Sequence, residues 1–476
     1  MPDLDALKKR LADAGQTHLL TFAGELSDAQ QEGLVAQIGA IDLARLPALI
    51  EGYVTNKPAF ELPKGVEPAP YYPADSAGAE CPYDAPTFKA AGEALLRDGK
   101  VACFTVAGGQ GSRLGYDGPK GCYPAGAVTK KPLFQIFAEG VLATAKKYGS
   151  TVPWYIMTSP LNHEATVSFF DAHSHFGLDP ADVVFFPQGT LPSFDMASGR
   201  VLLADKHVLA TNPDGHGGSL TALHASGALA DMRRRGIEHI SYFQVDNATV
   251  RVADPLFLGI HAVAPDSSAE MSSKMLPKAY AEEKVGLFAT AGGRTHVIEY
   301  SDMPLELQRE TLPDGRLRFL AGSPAIHAFG VQFVEKVTTD DAFGLPYHRA
   351  EKKVQHIDLA TGALVKPETP NAVKLELFVF DALPLAERSV ILETSRVEEF
   401  APIKNAEGID SPQSSAELQT LRAANWLAAH GVEIPTEDDG TPDCVIEISP
   451  LTALEPADLK GKDLPQAIER GAEVAM

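Results

Sequence analysis

The stretch VACFTVAGGQGSRLGYDGPKGCYPAG, residues 101–126, gathers the residue types that phosphate chemistry needs. A short apolar run, 101–106, opens directly onto a loop holding Gly108, Gly109, Gly111 and Gly115, then Pro119 and Lys120. Glycines at a strand end let backbone N–H groups close around an anion that side chains would hold off. Arg113, with its forked guanidinium, and Lys120 supply neutralising charge. Two commoner glycine-rich templates fail on spacing. GxGxxG started at Gly109 meets Leu114 at its sixth position, and no Gly-Lys-Ser/Thr string completes a P-loop. A surface turn with incidental glycines would leave the flanking cations without a purpose. The loop reads as a triphosphate site of another kind.

A carboxylate that could serve such a site is Asp246, which closes the apolar run HISYFQVDN, 239–247. Open α/β sheets place ligand groups at strand ends, and Mg²⁺ prefers one or two carboxylates plus substrate phosphates. The competing reading is a helix or turn cap. Asn247 stands beside it as a candidate orienting amide, and no second metal-ligand carboxylate stands out. The cysteines Cys81, Cys103, Cys122 and Cys444 form no CxxC pair, so neither a zinc site nor a disulfide framework is signalled, and buried thiols are the expectation. Cys122 lies in the phosphate-loop region, where it is either a thiol-sensitive group or a packed loop residue.

The elements that must hold these residues are legible as periodicities. Helical spacing covers 3–14, 27–38 and 42–52, followed by a Pro-rich connection from Lys57 to Pro86. From about residue 99 the pattern alternates: apolar runs at 101–106, 154–159, 183–188 and 239–247, with helices at 163–175 and 219–235 between them. Such runs separated by helices indicate a parallel, doubly wound α/β sheet. Beyond residue 285 a hairpin around Gly292-Gly293 adds antiparallel strands. The division expected is an N-terminal helical region 1–95, a catalytic domain 96–404, and a small C-terminal domain 405–476 with a helix at 413–430 and some β structure.

Charge narrows the partners. The 476 residues carry 41 basic and 63 acidic side chains, a formal net charge of −22, which argues against nucleic acid and anionic membrane as partners. The sign reverses locally: residues 108–131 hold Arg113, Lys120, Lys130 and Lys131 against Asp117 alone. The final segment 405–476, with 14 acidic and 4 basic residues, carries much of the acidity. The N-terminus MPDLDALKKRLADAG lacks an apolar signal core, so a cytoplasmic protein is expected.

The run GGQGSRLGYDGPKG resembles the signature loop of the UDP-sugar pyrophosphorylase family, and the resemblance extends along the chain in order. KPLFQIFAEG (131–140), WYIMTSPLNHEAT (154–166), NPDGHGGSLTAL (212–223), VDNATVRVADPLF (245–257), VIEYSD (297–302), KLELFVFD (374–381) and EEFAPIKNAEG (398–408) all match. This resemblance implies a Rossmann-like, GT-A-type nucleotidyltransferase with a mixed, mainly parallel sheet flanked by helices. It implies Mg²⁺ (or Mn²⁺) dependence and the reaction of UTP with a sugar 1-phosphate to give UDP-sugar and pyrophosphate. Carried over by position, Ala107, Gly108, Gly109, Gly111, Lys120, Gln188, Gly215, Asp246 and Lys374 would bind nucleotide, and Asp246 the metal. Gln188 would read the uracil edge, since an amide offers donor and acceptor together. Arg113, Lys120 and Lys404 would act on the phosphates during transfer, with Lys404 on the sugar phosphate. Alone, Lys374 and Lys404 would read as solvated surface lysines; their flanking matches change that.

The sugar pocket implied comprises His216, Glu299, Tyr300, Ser323, Phe378, Phe380 and Lys404. Phe378 and Phe380 continue the every-second-residue series of Lys374 and Glu376, so the spacing predicts a strand that runs on through Phe380. Glu299 and Tyr300 match the N-acetylglucosamine branch of the family. His216 and Ser323 stand where that branch carries asparagines, and Gly-His-Gly is nearer to the glucose and broad-specificity enzymes. N-acetylglucosamine 1-phosphate is the first expectation, with glucose or galactose 1-phosphate as the alternative. A catalytically silent sugar-nucleotide sensor would require lost phosphate or metal ligands, and none is missing.

Overall fold

The computed structural model describes residues 4–57, 61–78, 81–340 and 344–476; positions 58–60 and 79–80 of the Pro-rich connection lie outside them. The chain divides into two compact units: Met1–Glu61, Gln188–Ser219 and Leu345–Val379 form the first, and Leu62–Pro187, Leu220–Gly344 and Phe380–Met476 the second.

The second unit is built on an 11-stranded mixed sheet. Its heart is four parallel strands in the spatial order Val183–Pro187, Trp154–Thr158, Val101–Val106, His239–Gln244. These are the apolar runs of the sequence, buried because helices cover a parallel sheet. Beyond His239–Gln244 the sheet turns antiparallel through His327–Gly330 and Met271–Pro277, and Leu287–Ala291 pairs Arg294–Ile298 as the expected hairpin. The doubly wound reading is thus correct for this unit. One helix contact needs glycine on both sides. A Cβ on Gly92 of the helix Ala85–Arg97 would lie 1.8 Å from the Pro255 carbonyl oxygen, and one on Gly259 of Pro255–Val263 would lie 1.7 Å from that of Phe88. Only bare backbones can cross so closely. Lys274, 1 % exposed, lies 2.5 Å from both Asp254 and Glu399, so its buried charge is compensated.

The segment 405–476 packs within the second unit and keeps its own apolar cluster around Trp426, Leu427 and Ile446. Ser411 caps the helix Pro412–Ala428, and Val445–Glu447 pairs in parallel with Glu473–Ala475.

In the first unit the amphipathic helices Leu4–Asp13 and Asp28–Gly39 bury Leu7, Leu11, Leu34 and Ile38. Ser27 and Gln30 close the start of the second of these as a reciprocal capping box. Their apolar faces meet Phe194, Val201, Leu203, Leu209, Val373 and Leu375 in one core. Phe194, Val373 and Leu375 sit on the antiparallel strands Phe194–Asp195 and Ala372–Leu377, the latter also paired with Tyr347–Lys352, and Leu203 and Leu209 on the pair Leu203–Asp205 and Val208–Leu209. The three-part division expected from the sequence is cut across here: residues 1–61 share a core with two segments from within 96–404. Among the described residues no helix is long and apolar enough to cross a membrane.

Candidate active site

In the second unit, chain connections leave Val101–Val106 toward one side of the sheet and return to His239–Gln244 on the other. The crevice outside the carboxyl ends of two such strands is where doubly wound sheets bind ligands. The glycine loop follows the first strand, and Asp246 follows the second by two residues. Lys120 Nζ lies 3.9 Å from Asp246 Oδ2, both side chains mostly buried. A cation and a carboxylate, 126 residues apart in sequence by their numbers, thus meet at the switch point.

The loop is held from within. Ala107 N–H donates to the Met157 carbonyl (2.7 Å), Gly111 N–H to Gly118 (2.9 Å) and Lys120 N–H to Gly109 (3.0 Å). A Cβ at Gly111 would lie 2.8 Å from the Tyr116 ring, so the fold of the loop demands glycine there. Among the described residues no acceptor takes the N–H groups of Gly108 and Gly109, which leaves these donors for an anion. Arg113 stands exposed in the 3-10 turn Ser112–Leu114. Asn162, 1 % exposed, braces the loop in a way sequence reasoning missed. Its Nδ2 donates to the carbonyls of Ala107 (3.0 Å) and Gly109 (3.2 Å), while its Oδ1 accepts from Ser159 N–H (2.7 Å). Its only signal was the polar turn SPLN after a buried strand. Burial pushes the Cys122 thiol up to about 12, which favours the packed-residue reading; Cys103 and Cys444 are also buried, and Cys81, against expectation, is exposed.

Asn247 does not orient the Asp246 carboxylate. Its Nδ2 donates to the Glu399 carbonyl (2.6 Å) and its Oδ1 accepts from Ala401 N–H (2.9 Å), pinning residues 399–401. Ile403 N–H then donates to the Asp246 carbonyl (2.9 Å), which brings the segment carrying Lys404 to Asp246. Lys404 Nζ lies 3.3 Å from Asp410 Oδ2. Ser323 and Glu299 meet at Gly286: its carbonyl accepts from Ser323 N–H (2.8 Å), and a Cβ on it would lie 3.5 Å from Glu299 Oε1. Tyr300 is exposed. Phe380 is buried in the 3-10 segment Val379–Leu385 rather than on a strand.

In the first unit Gln188, Gly215, His216 and Phe378 gather near Asp214 and Leu377, and Lys374 stands on the strand that ends at Leu377. Gln188 Nε2 donates to Asp214 Oδ1 (3.1 Å) and to the Gly215 carbonyl (3.4 Å). Burial pushes the Asp214 carboxyl up to about 6, against the lowering effect of that amide. His216 accepts from Val379 N–H through Nδ1 (3.1 Å) and stacks on Phe378, centroids 5.1 Å apart and 5° from parallel. Phe378 stacks in turn on His348 at 4.0 Å. Desolvation, then the neighbouring His348, lowers His216 to about 4. Burial lowers Lys374 as well; Glu376 opposes this and Lys352 adds to it. The strand ends at Leu377, because Leu377 N–H turns to the Asp214 carbonyl (2.7 Å) and its carbonyl accepts from Gly217 N–H (2.7 Å). The expected strand through Phe378 and Phe380 is therefore corrected: Phe378 follows the strand and packs on imidazoles.

Among the described residues no three His, Cys, Asp or Glu side chains cluster as a metal cage. Asp246 at a strand end fits a hard cation that takes most of its ligands from phosphate and water.

A glycine loop, a cation and a carboxylate thus stand at the switch point of a doubly wound sheet, where such folds bind nucleotides. The chain belongs to the UTP–glucose-1-phosphate uridylyltransferase family, which it matches over residues 82–434. It is an enzyme of the UDP-sugar pyrophosphorylase class. It is 36 % identical over 467 residues to UDP-N-acetylglucosamine diphosphorylase 2 of Arabidopsis thaliana, covering 94 % of this chain and 89 % of that one. To the UDP-N-acetylglucosamine pyrophosphorylase of Saccharomyces cerevisiae it is 36 % identical, covering 89 % and 91 %. Its fold is similar to the crystal structure of the Trypanosoma brucei uridine diphosphate N-acetylglucosamine pyrophosphorylase in complex with inhibitor, with TM-score 0.80, 25 % identity and 98 % of both chains covered.

Proposed function

We propose that this enzyme converts UTP and N-acetylglucosamine 1-phosphate to UDP-N-acetylglucosamine and pyrophosphate. The observation that carries the reading is the meeting of Lys120 with Asp246, beside the donors of Gly108 and Gly109, in a chain with relatives named for that sugar nucleotide. A sugar-phosphate oxygen attacks the α-phosphorus of UTP in line; the bond from that phosphorus to the bridging oxygen breaks, and pyrophosphate leaves with its electron pair. Such transfer needs positioning and charge neutralisation rather than a protein nucleophile. The glycine-loop N–H groups hold the phosphates, Lys120 and Arg113 offset charge gathering on the departing pyrophosphate, and Lys404 steadies the attacking sugar phosphate. Asp246 would hold Mg²⁺ (or Mn²⁺), which when bound neutralises phosphate charge. Gln188 presents its amide to the uracil edge, and Lys374 serves the nucleotide phosphates.

His216 and Ser323 favour a second reading, the same chemistry on glucose or galactose 1-phosphate. Pyrophosphate release from UTP and Mg²⁺ with a panel of sugar 1-phosphates decides between them. N-acetylglucosamine 1-phosphate is expected to give the highest kcat/KM. A preference for glucose 1-phosphate transfers the assignment to the second reading, and no release with any sugar overturns both.

A further inference from the structure

Asp214 has no role among those above, yet it is built into place. It is 8 % exposed, and its N–H donates to the Gly189 carbonyl (3.2 Å) while its carbonyl accepts from Leu377 N–H (2.7 Å). Glycines wall its carboxylate. A Cβ on Gly189 would lie 2.4 Å from Oδ2, and one on Gly218 would lie 2.1 Å from Oδ1. Any side chain at either glycine would drive this carboxylate out. It faces the amide of Gln188, itself 7 % exposed, and takes the Nε2 hydrogen at 3.1 Å.

Well above pH 6 the Asp214 carboxyl is ionised, and an ionised carboxylate only accepts hydrogen bonds. Gln188 can therefore turn just one end of its amide toward Asp214, the NH₂ end, and Gly215 offers that end a second acceptor at 3.4 Å. A neutral neighbour with both donor and acceptor would tolerate the amide in either orientation. Rotating an amide by half a turn exchanges its donor and its acceptor. Uracil and cytosine differ by the same exchange: N3–H and O4 in one, bare N3 and N4–H₂ in the other. We propose that Asp214 is a positioning residue that fixes the Gln188 amide and so makes the enzyme select UTP over CTP. The proposal rests on Gln188 reading the base, as in the function above.

The test compares kcat/KM for UTP and CTP in the wild type, Asp214→Asn, Gln188→Ala and the double variant, with Mg²⁺ and N-acetylglucosamine 1-phosphate. Asn keeps the shape but offers donor and acceptor. Asp214→Asn is expected to lower the UTP-to-CTP ratio by about tenfold or more, mainly through KM, since sites built on specific hydrogen bonds discriminate strongly. In the Gln188→Ala background it is expected to leave the ratio unchanged, which a merely structural role would not produce. Asp214→Ser, smaller and also donor and acceptor, gives the same comparison should Asp214→Asn fail to fold. An unchanged ratio in the single variant, or an equal fall without Gln188, overturns the proposal while the uridylyltransferase function stands. A wild type that turns over no UTP overturns both.

Discussion

The two clusters of candidate residues are built on opposite electrostatic principles. In the second unit, the N–H groups of Gly108 and Gly109 have no acceptor among the described residues, and Lys120 stands 3.9 Å from Asp246. That cluster sets a cation and a carboxylate close to a strand end. In the first unit, burial raises Asp214 to about 6, lowers His216 to about 4 and lowers Lys374. Burial works against charge on each of them, and Asp214 and His216 spend their polar groups on directed hydrogen bonds and ring stacking. Charge suits a triphosphate, whose recognition needs field more than shape. A base is told from its relatives by the direction of a few hydrogen bonds, which a desolvated pocket enforces.

If that contrast holds, the largest single loss comes from Lys120→Ala. It is expected to lower kcat/KM by about 10³-fold, about 4 kcal/mol of lost charge stabilisation, with an unaltered circular dichroism spectrum. Steady-state kinetics with UTP measures it, and a loss of under about fivefold would remove Lys120 from the chemistry.

The pH dependence of stability comes next and sharpens the contrast. Asp214 is raised from 3.8 to about 6, so the folded state holds its proton more tightly. The stability this contributes is present below pH 3.8 and lost as pH rises through 6, about 3 kcal/mol in full. His216 is lowered from 6.5 to about 4, so its contribution is present above pH 6.5 and lost as pH falls through 4. Between these limits the two slopes oppose. Urea midpoints against pH are expected to show His216→Asn losing stability from pH 4 to 6, relative to wild type. Asp214→Asn is expected to lose it on acidification from 6.5 to 4. Differences from wild type that stay flat with pH would contradict the burial argument.

Asn162→Ala is the smallest of the three. Loss of two bonds to the loop carbonyls is expected to cost about 1–2 kcal/mol of stability and lower kcat/KM by about tenfold, without changing the preference for UTP over CTP. Thermal melts and the nucleotide ratio check both parts.

How much of this was legible in the chain follows from the range of the interactions. The parallel strands could be read because residues 101–106 and 239–244 are buried on both faces and so appear as unbroken apolar runs. The glycine loop could be read because glycines after an apolar run are a local pattern, visible without the distant residues that brace it. The composition of the first unit could not. Periodicity shows that Leu7 and Leu11 are buried, but not that Phe194 and Val373 cover them. Asn162 and Asp214 escaped notice because each bonds to another residue's backbone or amide. Phe378 was misplaced on a strand because alternation alone cannot reveal that Leu377 turns its N–H to Asp214.

The division of labour between charge and direction is tested most directly by the UTP-to-CTP ratio of kcat/KM in two variants. Lys120→Ala should reduce turnover of both nucleotides alike and leave the ratio within about twofold of wild type, whereas Gln188→Ala should collapse the ratio by about tenfold or more. A ratio that falls as far in Lys120→Ala, or that survives in Gln188→Ala, would contradict the account.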